Sequence, residues 1–406
     1  MKSGYEIVDF EQKADIYVIN TCTVTNMSDR KSRQTLRQAK KNNPNGIVVA
    51  VGCYVQVAKE EVENIPEIDF VLGTNKKNEI VKLVEEYIEN NELCEGVIDD
   101  VLKNKNYKEF GTVTFTEKTR AVIKVQDGCD RFCSYCIIPF ARGKIRSRKP
   151  ESVIEEITEI SKNGIKEVVI TGIHVASYGR DFKDEDYKLI DLLEDINKID
   201  GIERIRLGSI EPLLITEEFM ERFIKLEKVC HHFHLSLQSG CTETLKRMNR
   251  RYTAGEFEVI VDRIRKYYND AILTTDIIVG FPDESEEEFK TTYEYLKRIN
   301  FYKMHVFKYS PRKGTKAAEM KNQIPGDVKE LRSKKLLELS DNNEIAYLDS
   351  YIGKEVEVLF EEFDGKFYKG HTANYIMVKV KSEEDLSNKM KMVKIIERED
   401  LNLIGK

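Results

Sequence analysis

The chain has 406 residues, of which 41% are hydrophobic and 33% are charged, a composition typical of a globular protein with a sizeable core. No apolar run approaches the ~20 residues that span a bilayer, and the N-terminus lacks the apolar segment of a signal peptide, so we expect a cytoplasmic protein. A net charge of −6 argues against binding nucleic acid with the whole surface, although local basic faces stay compatible with it.

The segment 1–90 is predicted to be a small α/β domain. Its apolar, β-branched runs have the pattern of parallel strands buried on both faces, and polar helices lie between them. The predicted elements are strands at 15–20, 46–51 and 68–72 and helices at 28–42 and 77–90. Ser28 is the predicted N-cap of the first helix. Strand–helix–strand units of this length imply right-handed crossovers and a parallel sheet.

After a polar segment at 91–118, interpreted as a linker, strands and helices alternate through 119–348. The predicted strands are 121–126, 167–171, 205–209, 233–238, 272–279 and 305–309, and the helices between them are 151–162, 189–198, 217–226, 255–268 and 286–298. Six β/α units with short loops predict a partial (β/α)₆ barrel, similar to an incomplete (β/α)₈ barrel. Its chemistry should lie at the carboxyl ends of the strands.

The last segment, 349–406, follows a long charged helix near 327–350. Strand candidates at 356–360, 375–380 and 392–396 are separated by turns, a spacing that fits a small all-β barrel. The predicted fold is therefore an α/β multidomain protein with a parallel sheet domain, a central barrel and a small β-barrel.

Three of the eight cysteines lie in one octapeptide, Cys129-Asp130-Arg131-Phe132-Cys133-Ser134-Tyr135-Cys136, just after the first barrel strand. Three thiolates on a short loop can hold three irons of a [4Fe–4S] cluster and leave the fourth iron open. An open iron can chelate S-adenosylmethionine (SAM), whose sulfonium is then cleaved by an electron to give a 5′-deoxyadenosyl radical. The alternatives are buried structural cysteines or a zinc site, which would need a fourth ligand in a second paired spacing.

The loop, with Tyr135 before its last cysteine, resembles the signature of the radical SAM enzymes. Its flanks, Asp127-Gly128-Cys129 and Ile137-Ile138-Pro139-Phe140-Ala141-Arg142-Gly143, resemble one subfamily, as do residues 235–240, 247–248 and 276–282. That subfamily is the methylthiotransferases, which insert a methylthio group at a C–H bond, and the resemblance covers nearly the whole chain. Residues 19–25 and 171–174 are most similar to its tRNA threonylcarbamoyladenosine branch.

The resemblance implies a tRNA methylthiotransferase that converts threonylcarbamoyladenosine next to the anticodon to its 2-methylthio form. Its expected cofactors are SAM and a [4Fe–4S] cluster on Cys129, Cys133 and Cys136, and its expected partners are tRNA and an electron donor such as flavodoxin or ferredoxin. The candidate SAM-binding residues are Tyr135 and four residues that follow or end barrel strands, Gly172, Glu211, Gln238 and Gly280. Turn, cap or core roles are the alternatives at these positions.

Cys22 and Cys53 follow the first two predicted strands, and neighbouring parallel strands place their carboxyl ends side by side. We therefore favour a shared ligand over two buried free thiols. In the methylthiotransferases this domain holds a second [4Fe–4S] cluster on three cysteines, the first of them after an earlier strand. This sequence has no counterpart of that cysteine, so we expect that the natural start is missing and that two thiolates hold the cluster loosely.

Two basic runs are candidate contacts for RNA phosphates, with a solvated surface as the alternative. One is a stripe at helical spacing, Arg30, Arg33 and Arg37, and the other, which includes Arg142 and Arg146, follows the cysteine loop. The final segment resembles the TRAM domain, a small β-barrel that binds tRNA.

Three other functions stay open at this point. The isopentenyladenosine branch of the family performs the same chemistry on another tRNA adenosine, and a further branch modifies an aspartate of a ribosomal protein. A non-catalytic iron–sulfur protein that binds RNA is the alternative from a different class. Such a protein would release no 5′-deoxyadenosine from SAM, so a SAM-cleavage assay distinguishes it.

Overall fold

The computed structural model describes residues 4–90, 98–104, 106–109, 119–183 and 186–406. The chain forms two compact units. Unit 1 comprises 1–110, 127–146 and 310–319, and unit 2 comprises 111–126, 147–309 and 320–406. Most of the predicted linker, 91–118, lies outside the described residues, as does Cys94. The four-part domain division stays a prediction.

Unit 1 contains the predicted parallel sheet. Its strands are β1 (Ile16–Thr21), β2 (Ile47–Gly52) and β3 (Phe70–Leu72), in the order β1-β2-β3. All pairings are parallel, and Thr21 lies opposite Gly52 at the carboxyl ends of β1 and β2. The middle strand is almost entirely buried, as its β-branched sequence predicts.

The helices of unit 1 lie between and after these strands. They are α1 (Asn26–Asn42), α2 (Cys53–Val57), α3 (Lys59–Glu63), α4 (Ile80–Asn90), α5 (Ile138–Arg142) and α12 (Lys316–Glu319), with 3₁₀ turns at Thr74–Glu79 and Val101–Lys103. The prediction of Ser28 as the N-cap of α1 is wrong. Thr25 is the cap, because its hydroxyl accepts the Ser28 N–H at 3.1 Å, and the helix begins two residues earlier than predicted.

Unit 2 is built around six parallel strands, which confirm the predicted partial barrel. They are β4 (Arg120–Asp127), β6 (Glu167–Gly172), β7 (Arg204–Leu207), β8 (His232–Gln238), β9 (Ile272–Val279) and β10 (Lys303–Lys308); β5 is the short strand Arg146–Ser147. β4, β6 and β7 pair in one sheet and β8, β9 and β10 in another. Single bridges, among them Ile210–Leu235, connect the two sheets.

Seven α-helices of unit 2 surround or follow these strands in the described residues. They are α6 (Pro150–Lys162), α7 (Leu189–Asn197), α8 (Glu217–Phe223), α9 (Thr242–Arg247), α10 (Ala254–Tyr267), α11 (Glu286–Ile299) and α13 (Gly326–Asp349), with 3₁₀ turns at Val175–Ser177 and Pro212–Leu214. A capping box begins α11, since the side chains of Ser285 and Glu288 each accept the other's backbone N–H. Within the described ranges, no helix is long and apolar enough to cross a membrane.

The C-terminal segment of unit 2 is a closed five-stranded barrel. Its strands are β11 (Glu355–Phe363), β12 (Tyr368–Thr372), β13 (Met377–Val380), β14 (Met390–Glu399) and β15 (Asn402–Gly405), in the order 11-12-13-15-14. Its core is apolar and includes Val358, Phe360 and Val378. The small β-barrel is therefore confirmed, with two more strands than predicted.

A buried ion pair joins the start of the six-stranded barrel to this small barrel. Arg206 donates from Nε to Glu167 Oε1 at 2.7 Å, and from Nη1 to the carbonyl oxygen of Ala373 at 2.9 Å. The Tyr375 ring lies 4.7 Å from the Arg206 guanidinium, close enough for a cation–π contact. The Glu167 side chain is 1% exposed and that of Arg206 4% exposed, so each charge depends on the other.

Replacing Glu167 by alanine is expected to destabilise unit 2 by about 3–5 kcal/mol, because Arg206 would keep a buried and uncompensated charge. The thermal unfolding midpoint measures this loss. The matched control is Glu159→Ala, which breaks an exposed pair with Lys162 and should cost at most ~1 kcal/mol. Equal midpoints for the two variants would contradict the buried pair's role.

Candidate functional site

The loop that carries Cys129, Cys133 and Cys136 is held by its backbone. The Cys129 N–H donates to the Gly143 carbonyl oxygen at 2.9 Å, and the Cys136 N–H donates to the Cys133 carbonyl at 2.9 Å. Gly128 has a φ of +74°, and a Cβ there would lie 1.8 Å from the Lys144 carbonyl oxygen. Only glycine fits this position, so the predicted Gly-Cys pair starts the loop for a steric reason.

The three thiols of the loop are half-buried, as is Tyr135. Burial raises the pKa of the Cys129 thiol, and the neighbouring Cys133 adds to the effect. In the part of the chain that the structure describes, no three His, Cys, Asp or Glu side chains are grouped so that they could hold a metal ion. A [4Fe–4S] cluster needs a wider arrangement, because each thiolate binds a different iron. Three soft donors on one loop fit such a cluster.

Cys22 and Cys53 directly follow the paired strand ends Thr21 and Gly52. Gly52 has a φ of +114°, and a Cβ there would lie 2.5 Å from the Thr21 carbonyl oxygen, so the two strand ends approach as closely as glycine allows. Cys22 is exposed, whereas Cys53 is buried at the start of α2. The backbone of unit 1 thus places both residues at one edge of the sheet, as the sequence predicts.

Arg142, at the end of α5, makes a contact that the sequence did not predict. Its Nε donates to Cys53 Sγ at 3.0 Å, and its Nη1 lies 3.6 Å from Asp127 Oδ2. Burial opposes the positive charge, but Cys53, Asp127 and Cys22 outweigh burial and raise the pKa of Arg142. Arg142, which belongs to the helix after the cysteine loop, therefore contacts Cys53 within unit 1.

Arg146 is also buried, and its Nη2 lies 3.5 Å from Asp127 Oδ2. Its Nη1 has no hydrogen-bond partner among the described residues. A buried guanidinium that shares Asp127 with Arg142 is poorly placed to meet an RNA phosphate. The geometry favours a role within this network over the predicted RNA contact for both arginines.

The loop after β1 is held by a further buried arginine, Arg312. Its Nη2 donates to Asp29 Oδ2 at 2.6 Å and to Thr23 Oγ1 at 2.5 Å, and its Nη1 donates to Asn26 Oδ1 at 2.6 Å. These bonds join side chains of the first turn of α1 and of the segment after Cys22 to one guanidinium. No local pattern in the sequence signals a contact between residues so far apart along the chain.

The predicted basic stripe on α1 is partly neutralised within unit 1. Arg33 donates to Tyr54 Oη at 2.8 Å and to Glu61 Oε1 at 2.9 Å. Arg37 is exposed and lies 3.7 Å from Glu67 Oε1. Arg30 is exposed and forms no ion pair with any described residue. Exposed pairs are worth little, so Arg30 and Arg37 are the stripe residues that can meet a phosphate at small cost.

In unit 2, the predicted SAM-binding residues lie at the carboxyl rim of the strands. Gly172 ends β6 beside Gln126, whose Oε1 accepts the His174 N–H at 2.7 Å. Glu211 is buried, and its Oε2 accepts from Arg250 Nη2 at 2.8 Å and lies 3.7 Å from His174 Nε2. The Glu211 carboxylate is thus held inside unit 2 and does not cap the 3₁₀ turn that follows it.

Gln238 and Gly280 complete this rim. Gln238 ends β8 with a φ of +74° and is buried, a backbone conformation that non-glycine residues adopt at a cost of roughly 1–3 kcal/mol. The Gly280 N–H donates to Glu284 Oε2 at 2.7 Å, and that carboxylate pairs with Arg332 at 2.6 Å. The strained backbone of Gln238, at the end of a strand, is typical of a ligand site.

Two family models match the chain. Residues 123–296 match the radical SAM superfamily, and residues 1–73 match the uncharacterized protein family UPF0004. The threonylcarbamoyladenosine tRNA methylthiotransferase MtaB of Bacillus subtilis (strain 168) is 41% identical over 97% of this chain and 88% of that protein. The protein of the same name from Aquifex aeolicus (strain VF5) is also 41% identical, over 98% and 94%.

A tRNA-2-methylthio-N(6)-dimethylallyladenosine synthase of Thermoanaerobacter sp. (strain X514) is 36% identical over 100% of this chain and 87% of that protein. Among solved structures, the radical SAM methyltransferase TsrM from Kitasatospora setae has a TM-score of 0.55 at 16% identity. The alignment covers 74% of this chain and 66% of TsrM. At this identity, the likeness shows a shared fold only.

Proposed function

The chain belongs to the radical SAM methylthiotransferases, and we propose that it converts threonylcarbamoyladenosine in tRNA to the 2-methylthio derivative. The observation that carries the proposal is 41% identity, over nearly the whole chain, to two tRNA methylthiotransferases that are named for this nucleoside. The dimethylallyladenosine enzyme is less similar, at 36% identity.

A [4Fe–4S] cluster and SAM, when bound, supply a one-electron cleavage of the sulfonium that yields a radical able to remove hydrogen from an unactivated carbon. Cys129, Cys133 and Cys136 would hold the cluster, and their loop is kept in shape by its backbone rather than by the thiols. Its half-buried position limits access of water to the thiolates. Flavodoxin or ferredoxin is the proposed electron donor.

For SAM we propose the rim residues of unit 2, Gly172, Glu211, Gln238 and Gly280, while Tyr135, in unit 1, stays a prediction from the sequence. Two properties of unit 2 support the rim set: the strained backbone of Gln238 and the Glu211 carboxylate, which Arg250 holds in place. A carboxylate fixed in this way can orient a polar ligand without first reorganising.

We further propose that Cys22 and Cys53 ligate a second [4Fe–4S] cluster that carries or delivers the sulfur atom. Support comes from their positions after paired strand ends and from the Arg142 guanidinium at 3.0 Å from Cys53 Sγ. A hydrogen bond from a cation to a ligating sulfur tunes the cluster and offsets its negative charge.

The proposed tRNA surface includes the exposed residues Arg30 and Arg37 of α1. The double replacement Arg30→Gln with Arg37→Gln should weaken tRNA binding and lower the salt slope of log K by ~0.9 per lost phosphate contact. Fluorescence anisotropy across a salt series measures both quantities. The control is Arg298→Gln on the outer helix α11, where an exposed arginine pairs with Glu258. An unchanged salt slope would show that these arginines are part of a solvated surface and do not contact RNA phosphates.

Nucleoside mass spectrometry of tRNA tests the function directly. tRNA from cells that lack this gene should carry threonylcarbamoyladenosine without its methylthio group, and re-expression of the chain should restore the 2-methylthio form. Gain of methylthio-dimethylallyladenosine instead would assign the chain to the other tRNA branch. A tRNA pool that does not change would exclude both, and a ribosomal protein would become the substrate to test.

A further inference from the structure

The inner faces of β8 and β9, in the six-stranded barrel of unit 2, carry polar residues. Successive residues of a strand point to opposite faces, and on β8 the residues Phe233 and Leu235 are buried in the hydrophobic core. The alternate residues, His232 and His234, therefore point into the barrel. A closed (β/α)₈ barrel fills this space with layers of branched apolar side chains. Here the corresponding positions on β8 and β9 are His232, His234, Thr274 and Asp276.

The chain's own side chains do not fill this interior. Val122 on β4 is 69% exposed and Phe307 on β10 is 48% exposed, although helices cover the other face of the strands. His305, also on β10, is exposed and makes no hydrogen bond with any residue that the structure describes. Exposed apolar and polar groups on the inner faces of the first and last strands indicate a space that can take a ligand.

The polar groups of the pocket are already organised. His234 Nε2 lies 3.2 Å from Asp276 Oδ2, and His234 Nδ1 lies 2.9 Å from Thr274 Oγ1. The His234 and His305 rings are 5.5 Å apart between centroids. Desolvation by the surrounding residues and the nearby His234 lower the pKa of His305, and an imidazole ring can donate an N–H. One wall therefore offers a free donor beside a fixed His–Asp pair.

The pocket has a floor at the amino-terminal ends of the strands. Tyr375, from the loop between β12 and β13, lies 4.7 Å from the Arg206 guanidinium and 5.2 Å from that of Arg120. The His371 ring stacks on it at 4.8 Å, and the His232 ring is 5.5 Å away. The Tyr375 ring, which is 43% exposed, therefore lies at the amino-terminal end of the barrel among four close neighbours.

The names of the relatives contain two nucleosides, and these differ in the hydrogen bonds that their N6 substituents can form with this pocket. A threonylcarbamoyl group carries a carboxylate, a hydroxyl and urea-type N–H groups, whereas a dimethylallyl group is a hydrocarbon. The N6 substituent is attached to carbon 6 of adenine, whereas the methylthio group is added at carbon 2. With carbon 2 at the strand ends, an adenine can therefore extend its N6 substituent into the barrel.

We propose that His234, Asp276 and His305 form the specificity pocket for the N6 substituent of the substrate adenosine. His305 donates to the threonylcarbamoyl carboxylate, and Asp276, held by His234, accepts from its hydroxyl or N–H. A dimethylallyl group would leave these polar groups desolvated and without partners, which is how a polar site rejects an apolar analogue. This inference rests on the proposed function and adds the residues that select the substrate.

The test compares three anticodon stem-loop RNAs with reconstituted holoenzyme. They carry threonylcarbamoyladenosine, its carboxamide analogue without the negative charge, or dimethylallyladenosine. For wild type, we expect kcat/KM and affinity to fall in that order. His305→Leu should lower kcat/KM for the first RNA by ~10–100-fold, the loss of a hydrogen bond to a charged group, with little further loss on the carboxamide. His305→Gln, which keeps a donor, should recover most of the activity.

The matched control is His231→Leu, because His231 lies at the outer surface of unit 2 and pairs with Asp270 there. SAM cleavage without RNA should be equal in all variants, which separates substrate recognition from folding and cofactor loading. If wild type acts on threonylcarbamoyladenosine while His305→Leu matches His231→Leu, the inference fails and the proposed function stands. If wild type does not act on that nucleoside, the proposed function itself fails.

Discussion

Cys133→Ala is expected to abolish reductive cleavage of SAM, and Cys129→Ala and Cys136→Ala should do the same. Each change removes one of three thiolates, and a [4Fe–4S] cluster held by two thiolates loses iron readily. The loop itself should keep its shape, because its fixed bonds are the backbone ones from Cys129 to Gly143 and from Cys136 to Cys133. The measurement is 5′-deoxyadenosine released per chain after anaerobic reconstitution and reduction.

Cys241→Ala is the matched control for this series. Cys241 is a buried cysteine of unit 2 that lies outside the loop, and its Sγ bonds Glu243 at 3.2 Å. This variant should bind iron and cleave SAM as the parent chain does, whereas each loop variant should lose about four irons per chain. Normal 5′-deoxyadenosine production by any loop variant would refute the cluster assignment.

The strands of both units could be predicted because their pattern is local. β9 occupies the predicted residues 272–279, and its Ile, Leu, Thr and Val content is typical of a strand buried on both faces. The cysteine loop was found in the same way, since three thiols in one octapeptide need no knowledge of the fold. Cys22 and Cys53 required one more step, the rule that neighbouring parallel strands share an edge.

The features that were not predicted from the sequence depend on residues far apart along the chain. β12 was not predicted, because Gly370 in its centre is typical of a turn. In the barrel, a Cβ at Gly370 would lie 2.2 Å from the Leu359 carbonyl oxygen, so the glycine allows β11 and β12 to pair closely. Likewise, nothing near Arg142 in the sequence indicates a contact with Cys53, which is 89 positions away. Charge alone suggested RNA, and burial changes that interpretation.

Cys22→Ala should abolish methylthiolation of tRNA while SAM cleavage continues, and Cys53→Ser should do the same. The reason is that the proposed second cluster loses a ligand, whereas the loop with Cys129 keeps all three of its thiolates. Two assays on the same preparation separate the outcomes: 5′-deoxyadenosine for the radical step, and nucleoside mass spectrometry for the methylthio product. The parent chain offers this cluster two thiolates and should hold it loosely, so any iron above about four per chain should be lost in both variants.

Exposure makes Cys22 the more informative of the two residues. Cys53 is buried and accepts a hydrogen bond from Arg142, so its loss could disturb packing as well as chemistry. Cys22 is exposed, and its backbone N–H, which bonds Ser32 Oγ at 3.2 Å, is untouched by a change to alanine. If the Cys22→Ala variant has the same thermal unfolding midpoint as the parent chain and yet transfers no methylthio group, it has lost a ligand of the second cluster. Full methylthiolation by Cys22→Ala, with the parent's iron content, would show that the second cluster does not use this thiol.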